Sequence, residues 1–415
     1  MVRFPLGLSL MTVGFAGLWV VRDLTTAMSV VGFEVLSIAT NFNFAVLPLF
    51  ILMGVLVARA KLSDDLFEAS DAWLGHFRGG LAMATVAACG GFAAVSGSSG
   101  ATAATMAKVA IPSMRKYGYS DSLAAGTVAA GGTIGILIPP SAALIVYGIL
   151  TESDIGALFI AGILPGILTV ILYILVISLV VRIKPDIGPP GSRTDWPQRF
   201  RSLTKVWGIV VLFLLIVGGI FFGLFTPSES GAIGAVGAYL FALGRGKMSF
   251  KILVLSLIEA GRITALVFAI AFGALVLNQF INLAGMPEAI LKFIESLSMA
   301  PIGVVLIIMG IYILLGMFIE GLSMIFLTAP IFVPVIEGLG MDVIWFGIVM
   351  VMVVEISLIT PPIGLNVFIL KAMLPEVPLP TIFKGIGPFF AADLVRLLIV
   401  VLFPGFVLFL PRLMN

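Results

Sequence analysis

Ser96-Gly-Ser-Ser-Gly100 and Gly131-Gly-Thr-Ile-Gly-Ile-Leu-Ile-Pro-Pro140 interrupt strongly apolar sequence with residues that break helices. In a bilayer each broken turn leaves backbone N–H and C=O groups with no water to pair with. Such breaks persist only where protein buries them or where they line a wet cavity. Small residues also let helices pack closely, so a single stretch of this kind reads as readily as a packing kink. Here the pattern recurs. At an offset of 222 residues, and without a gap, Ser98 falls on Glu320, Pro112 on Pro334, Gly118 on Gly340 and Ser120 on Asp342, while Pro139 and Pro140 fall on Pro361 and Pro362. Paired interrupted helices in corresponding places of two halves are how secondary transporters build their sites. Helix N-termini face anions there, and freed carbonyls coordinate cations.

The rest of the 415-residue chain fits that setting. It is 60% hydrophobic and 11% charged, with a mean hydropathy of +1.22. A soluble domain carries roughly 25% charged residues, so the composition is that of a polytopic membrane protein. Cys89 and His76 are each the only residue of their type, which excludes a disulfide framework and removes the usual zinc and triad chemistries. No G-x-x-x-x-G-K-[ST], H-E-x-x-H or G-x-S-x-G occurs, so the chain reads as neither an ATPase nor a hydrolase, and not as an enzyme. No nucleic-acid partner is expected. Phe4–Val21 reads as a short span rather than a cleavable signal, and it begins so near Met1 that the start looks clipped.

Apolar runs long enough to cross, about 20 residues or fewer when tilted or broken, fall at Phe4–Val21, Phe42–Val57, Ile155–Val181, Val206–Phe225, Ser230–Leu243, Ile263–Leu283 and Ile386–Leu410. Gly80–Ile111 and Pro301–Val335 are broken near the middle, at Ser96–Gly100 and Glu320–Ser323, and read as re-entrant helical hairpins. Each precedes a helix broken at a Pro pair, Ser120–Leu150 and Asp342–Ala372. Charged amphipathic stretches at Lys61–Arg78, Phe250–Arg262 and Pro287–Ser298 suit arms lying along the membrane surface. The predicted fold class is an all-α polytopic membrane protein of inverted repeats. Its predicted organisation is scaffold spans and an arm (1–79), a first transport module (80–154), further scaffold and arms (155–300), a second transport module (301–373) and a terminal scaffold span (374–415).

Between the hairpins the chain makes five crossings, an odd count that puts the hairpins on opposite faces and makes the repeat inverted. Lys and Arg then set the sides. Arg59, Lys61, Arg78, Arg115 and Lys116 flank hairpin one, and Arg182, Lys184, Arg193, Arg199, Arg201 and Lys205 crowd the loop after the Ile155 span. Thr151–Asp154 and Thr226–Ser230 hold no Lys or Arg. Hairpin one is therefore expected to open to the cytoplasm and hairpin two to the outside, with Arg22 and Lys292 as exceptions.

Ser96, Gly97, Ser98, Ser99 and Gly100 offer hydroxyls, freed carbonyls and helix N-termini, a combination suited to Na⁺ beside a carboxylate-bearing substrate. Thr102 belongs to the same tip. Across from it, Gly132, Thr133, Gly135 and Ile138 precede the Pro pair, where the helix ends. The second module supplies Glu320, Gly321 and Ser323 at its tip, with Glu355, Thr360, Gly364 and Asn366 around its break. The candidate substrate contacts are Ser98, Ser99, Gly100, Thr102, Glu320, Gly321, Ser323 and Asn366. The candidate Na⁺ ligands are Ser96, Gly97, Ser98, Gly132, Thr133, Gly135, Ile138, Glu355, Thr360 and Gly364. Intramembrane acids are costly unless paired or wet. Glu355 has four roles open to it: orienting the break, binding a cation, carrying a proton, or bonding the loop backbone. Lys108 either neutralises a substrate carboxylate or snorkels to the hairpin base. Glu259 and Arg262 read as an i,i+3 pair on an arm, and Cys89 reads as packing.

At these motifs the chain resembles the large membrane subunit (DctM-type) of tripartite ATP-independent periplasmic, or TRAP, transporters. The matching stretches are Phe77-Arg-Gly-Gly-Leu81, Ser96–Gly100, Ile111-Pro-Ser-Met-Arg-Lys-Tyr-Gly-Tyr119, Thr133 through Pro140, Ala161-Gly-Ile-Leu-Pro-Gly166, Thr360-Pro-Pro-Ile-Gly-Leu-Asn366 and Gly385-Ile-Gly-Pro-Phe389. The resemblance spans nearly the whole chain. It implies an elevator of the ion-transporter type in a bacterial inner membrane, Na⁺ as coupling ion at two or more sites, and an organic-acid substrate. It further implies a small four-helix membrane partner and a periplasmic substrate-binding protein. Ser357 stands where relatives often carry Gly. Alternatives are a self-sufficient Na⁺- or H⁺-coupled carboxylate transporter and a channel.

Overall fold

The computed structural model describes residues 5–296 and 299–414. The expected start of the first span at Phe4, the end of the third arm at Leu297 and Ser298, and Asn415 lie outside the described residues. All regular structure among the described residues is helical. Six of these helices are long and apolar enough to cross a membrane: Phe42–Arg59, Ile155–Ile183, Trp196–Phe221, Phe250–Leu283, Gly321–Gly338 and Leu379–Leu402. The chain is a multi-pass membrane protein.

The 222-residue repeat holds helix by helix. Hairpin one has limbs Gly80–Ser96 and Ser99–Lys116; hairpin two has limbs Pro301–Gly316 and Gly321–Gly338. The second limbs coincide end to end under the offset, and the half-helix Ala142–Leu150 maps within one residue onto Leu365–Met373. The caps coincide as well. Ser98 accepts a bond from the Ala101 amide at 3.4 Å and Glu320 from the Ser323 amide at 3.1 Å. Ser120 and Asp342 do the same for Leu123 (3.2 Å) and Trp345 (2.8 Å). Each cap satisfies an otherwise orphaned helix donor, worth about 0.5–2 kcal/mol. Asp121–Thr133 and Val343–Ser357 lead into the two breaks, and both Pro pairs carry a cis bond.

Packing exchanges the halves. Ser99–Lys116 lies against Leu365–Met373 of the other module, and Gly321–Gly338 lies against Ala142–Leu150. Each hairpin thus meets the other module's half-helix, the reciprocal contact a two-fold relation produces. Ile155–Ile183 and Leu379–Leu402, which follow the two broken helices, pack on the modules and on each other.

Most of the remaining helices pack together as a wall, which also meets the modules where Phe42–Arg59 lies against Gly80–Ser96 and Phe250–Leu283 against Gly321–Gly338. Leu6–Val21 runs along Phe250–Leu283 with backbones nearly touching: a Cβ at Gly7 would fall 2.1 Å from the Ala269 carbonyl oxygen, and one at Gly14 would fall 2.6 Å from Leu277 Cα. Such small-residue seams give close van der Waals packing where lipid removes the hydrophobic drive between helices. Phe42–Arg59 is clasped between Pro227–Gly244 and Phe250–Leu283. The arm Leu62–Leu74 bridges this wall to hairpin one, pinned by Asp65 to Arg245 and by Glu68 to Lys205 (2.6 Å).

Three elements depart from the sequence expectation. Leu24–Thr40 is a helix in a stretch whose Thr, Ser and Glu content obscures it; its Glu34 is buried and accepts a 2.9 Å bond from Gln279. The second arm and the Ile263 span are one helix of 34 residues, Phe250–Leu283, because Gly261 alone does not break it. The terminal span stops at Leu402, and Pro404 starts a short new helix, since proline cannot continue the old one.

Candidate functional site

A cavity of about 1000 Å³ opens between the wall and the two modules. Phe50, Gly54 and Val267 line it from the wall side. Ser96, Gly97, Ser98, Ser99 and Gly100 of tip one and Glu320 and Gly321 of tip two line it from the other, so both hairpin tips face one space. Tip one is pressed against its own break. A Cβ at Gly97 would lie 2.7 Å from the Pro140 carbonyl oxygen, and one at Gly135 would lie 2.6 Å from the Ser98 carbonyl oxygen and 2.7 Å from Thr102 Oγ1. Gly97, at φ +60°, sits in the left-handed region that turns the chain between the limbs.

The hydroxyls of tip one are already organised. Thr102 donates to the Ser98 carbonyl at 2.8 Å and pairs with Ser96 at 2.9 Å. Ser99 bonds Asn366 of the second break at 3.0 Å, and Asn366 also donates to the Ala129 carbonyl at 3.1 Å. A side chain from break two therefore reaches tip one and the helix before break one. At tip two, Glu320 accepts from Ser323 Oγ at 3.0 Å as well as from its amide. Gly364, at φ +61°, turns the chain near the Leu358 and Thr360 carbonyls. The donors gathered around both breaks are hydroxyl and carbonyl oxygens, the set that suits a hard cation.

Other expected residues lie away from the cavity. Gly132 packs on Ala103, and Ile138 packs on Gly166. Ser323 and Thr360 are buried, the latter bonded back to the Ile356 carbonyl at 2.7 Å. Glu355 and Thr133 are fully buried and point toward the helices behind the modules. Glu259 pairs with Arg59 rather than with Arg262, because Phe42–Arg59 packs beside Phe250–Leu283 and brings a guanidinium to it. That pair, with Lys61, Asp64 and Lys108, forms the charged end of the cavity on the side of the hairpin-one base.

Sequence reasoning missed the partners of Glu355. Arg396 Nη2 stands 2.9 Å from Glu355 Oε2 and 3.2 Å from Asp393 Oδ1. Tyr173 donates to Asp393 Oδ2 at 2.8 Å, and Arg396 also bonds Thr169. All five side chains are fully buried. The signal was present: Asp393 and Arg396 are charges within an apolar run, and they answer to the same rule that singled out Glu355.

Residues 1–406 match the family described as "Tripartite ATP-independent periplasmic transporter, DctM component". The chain is 36% identical over 378 residues to the C4-dicarboxylate TRAP transporter large permease protein DctM of Pseudomonas aeruginosa, covering 90% of this chain and 87% of that one. It is 31% identical to the sialic acid large permease SiaM of Vibrio cholerae (99% and 95% covered) and 31% identical to the ectoine large permease TeaC of Halomonas elongata (99% and 96% covered). Among solved structures, the YdaH transporter of Alcanivorax borkumensis shares the fold, with TM-score 0.69 over 97% of both chains at 14% identity.

Proposed function

The chain belongs to the DctM component family of tripartite ATP-independent periplasmic transporters, and on that premise we propose that it is the large permease of a Na⁺-coupled importer of an organic acid. The observation that carries the reading is the single cavity faced by both hairpin tips. A substrate carboxylate at Ser98–Gly100 would meet helix N-terminal amides, while the hydroxyls and carbonyls around the breaks would hold Na⁺. The moving body consists of the two modules together with Ile155–Ile183 and Leu379–Leu402, which pack on them; these two helices travel with the modules rather than standing in the scaffold. The wall formed by Leu6–Val21, Phe42–Arg59, Trp196–Phe221, Pro227–Gly244 and Phe250–Leu283 stays fixed.

A periplasmic binding protein delivers the acid, and a small four-helix membrane subunit partners the wall. The matched portion is 58% of the isethionate permease DctMQ, in keeping with a second membrane component joined to that relative. The relatives' names cover a C4-dicarboxylate, sialic acid and ectoine at similar identity, so similarity does not select the compound.

The test is uptake in proteoliposomes containing the chain, its membrane partner and the binding protein. Uptake should require an inward Na⁺ gradient, with a Hill coefficient above one for Na⁺. Uptake unchanged when choline replaces Na⁺ would overturn the coupling, and full uptake without the binding protein would replace this reading with a self-sufficient carrier.

A further inference from the structure

Thr133 and Glu355 are equivalent under the 222-residue offset, and each stands at the end of a helix that leads into a break. A continuous line of buried side chains joins them. Thr133 Oγ1 donates to the Ala130 carbonyl at 2.8 Å and touches Tyr173 Oη at 3.5 Å, Tyr173 donates to Asp393 at 2.8 Å, and Arg396 bridges Asp393 and Glu355. The three intermediates come from Ile155–Ile183 and Leu379–Leu402, the helices that follow the two broken ones. None of the five lines the cavity. Neither oxygen of Glu355 has a hydrogen-bond partner meeting full geometry among the described residues, and Arg396, 2.9 Å from Oε2, is the charge paired with this carboxylate.

We propose that Arg396, Asp393 and Tyr173 are positioning residues that couple the two breaks, so that a cation held at one break sets the backbone geometry at the other. This rests on the Na⁺ reading above. A planar guanidinium fork binds carboxylates in a fixed geometry. In a dry interior, moving one charged partner without the other is costly. A shift of Glu355 on cation binding at break two is therefore passed through Arg396 and Asp393 to Tyr173 and the end of Asp121–Thr133, rather than absorbed locally.

The test is the thermal stability of the intact chain in detergent, titrated with Na⁺, with choline as control. Wild type should be stabilised sigmoidally, with a Hill coefficient above one. Tyr173→Phe removes one hydroxyl and no charge; it should still bind Na⁺ but with a Hill coefficient near one. Arg396→Lys keeps the charge without the fork and should behave alike. If Arg396→Lys fails to fold, Tyr173→Phe decides. Melting that falls equally at every Na⁺ concentration, with the wild-type Hill coefficient retained in Tyr173→Phe, would mark the network as merely structural and overturn the inference while leaving Na⁺ coupling intact. No Na⁺ response in wild type would overturn both.

Discussion

A side chain at position 97 has nowhere to go. The residue lies at φ +60°, and its Cβ would meet the Pro140 carbonyl oxygen at 2.7 Å. A β-branched residue would add backbone strain of about 1–3 kcal/mol to a backbone contact that cannot flex away. Gly97→Val should therefore displace tip one from break one and abolish uptake, while the protein still inserts and assembles. Cys89 is buried in the limb against Gly131, and Cys89→Ala should only thin the packing and keep most of the activity. Uptake assays normalised to membrane-inserted protein decide it: wild-type transport by Gly97→Val would remove tip one from the site. Residues of this kind were legible in the sequence because a Gly and Ser cluster within apolar sequence has few explanations. Asp393 and Arg396 were legible only as charges within an apolar run, and nothing in the sequence records that Arg396 meets Glu355.

At the scale of the element, the repeat makes a prediction that neither half makes alone. Ser98 and Glu320 cap equivalent limbs, yet only Glu320 brings a full charge to the cavity. Capping and substrate contact can be separated by giving tip two the residue that tip one uses. Glu320→Ser preserves a capping oxygen and should leave the melting temperature nearly unchanged, whereas Glu320→Ala should cost about 0.5–2 kcal/mol. A hydrogen bond to a charged group is worth about 1.5–3 kcal/mol, tenfold or more in affinity. With the substrate carboxylate at tip one, Glu320 would accept from a hydroxyl or ammonium group of the transported acid, so KM should rise about tenfold or more in Glu320→Ser, and an unchanged KM would reduce Glu320 to a cap. The element boundaries show where sequence reasoning stops. Hairpins and breaks followed from local chemistry. Leu24–Thr40 did not, because its polar residues are accommodated by tertiary partners such as Gln279, and periodicity along one strand of sequence carries no record of them.

For the whole molecule, alternating access requires that the cavity open to one side at a time. Its charged end is formed by Arg59, Lys61, Asp64, Lys108 and Glu259, toward the base of hairpin one. That base carries Arg78, Arg115 and Lys116, and the excess of Lys and Arg places it in the cytoplasm. On the positive-inside expectation this conformer should be the inward-open one, the state from which cargo is released. That Ile155–Ile183 and Leu379–Leu402 pack on the two modules was not legible, because both look like ordinary spans in sequence and only tertiary packing shows their neighbours. Sidedness and state can be tested together with a single cysteine at Thr105, which lines the cavity and is partly exposed, in a Cys89→Ala background. A membrane-impermeant maleimide should label it rapidly in inside-out vesicles and slowly in right-side-out vesicles. Faster labelling from the outside would invert either the orientation or the state. Labelling the native basic loop at Lys184–Lys205 with an impermeant amine reagent in the same vesicles tells which, since that loop reports orientation regardless of where the moving body stands.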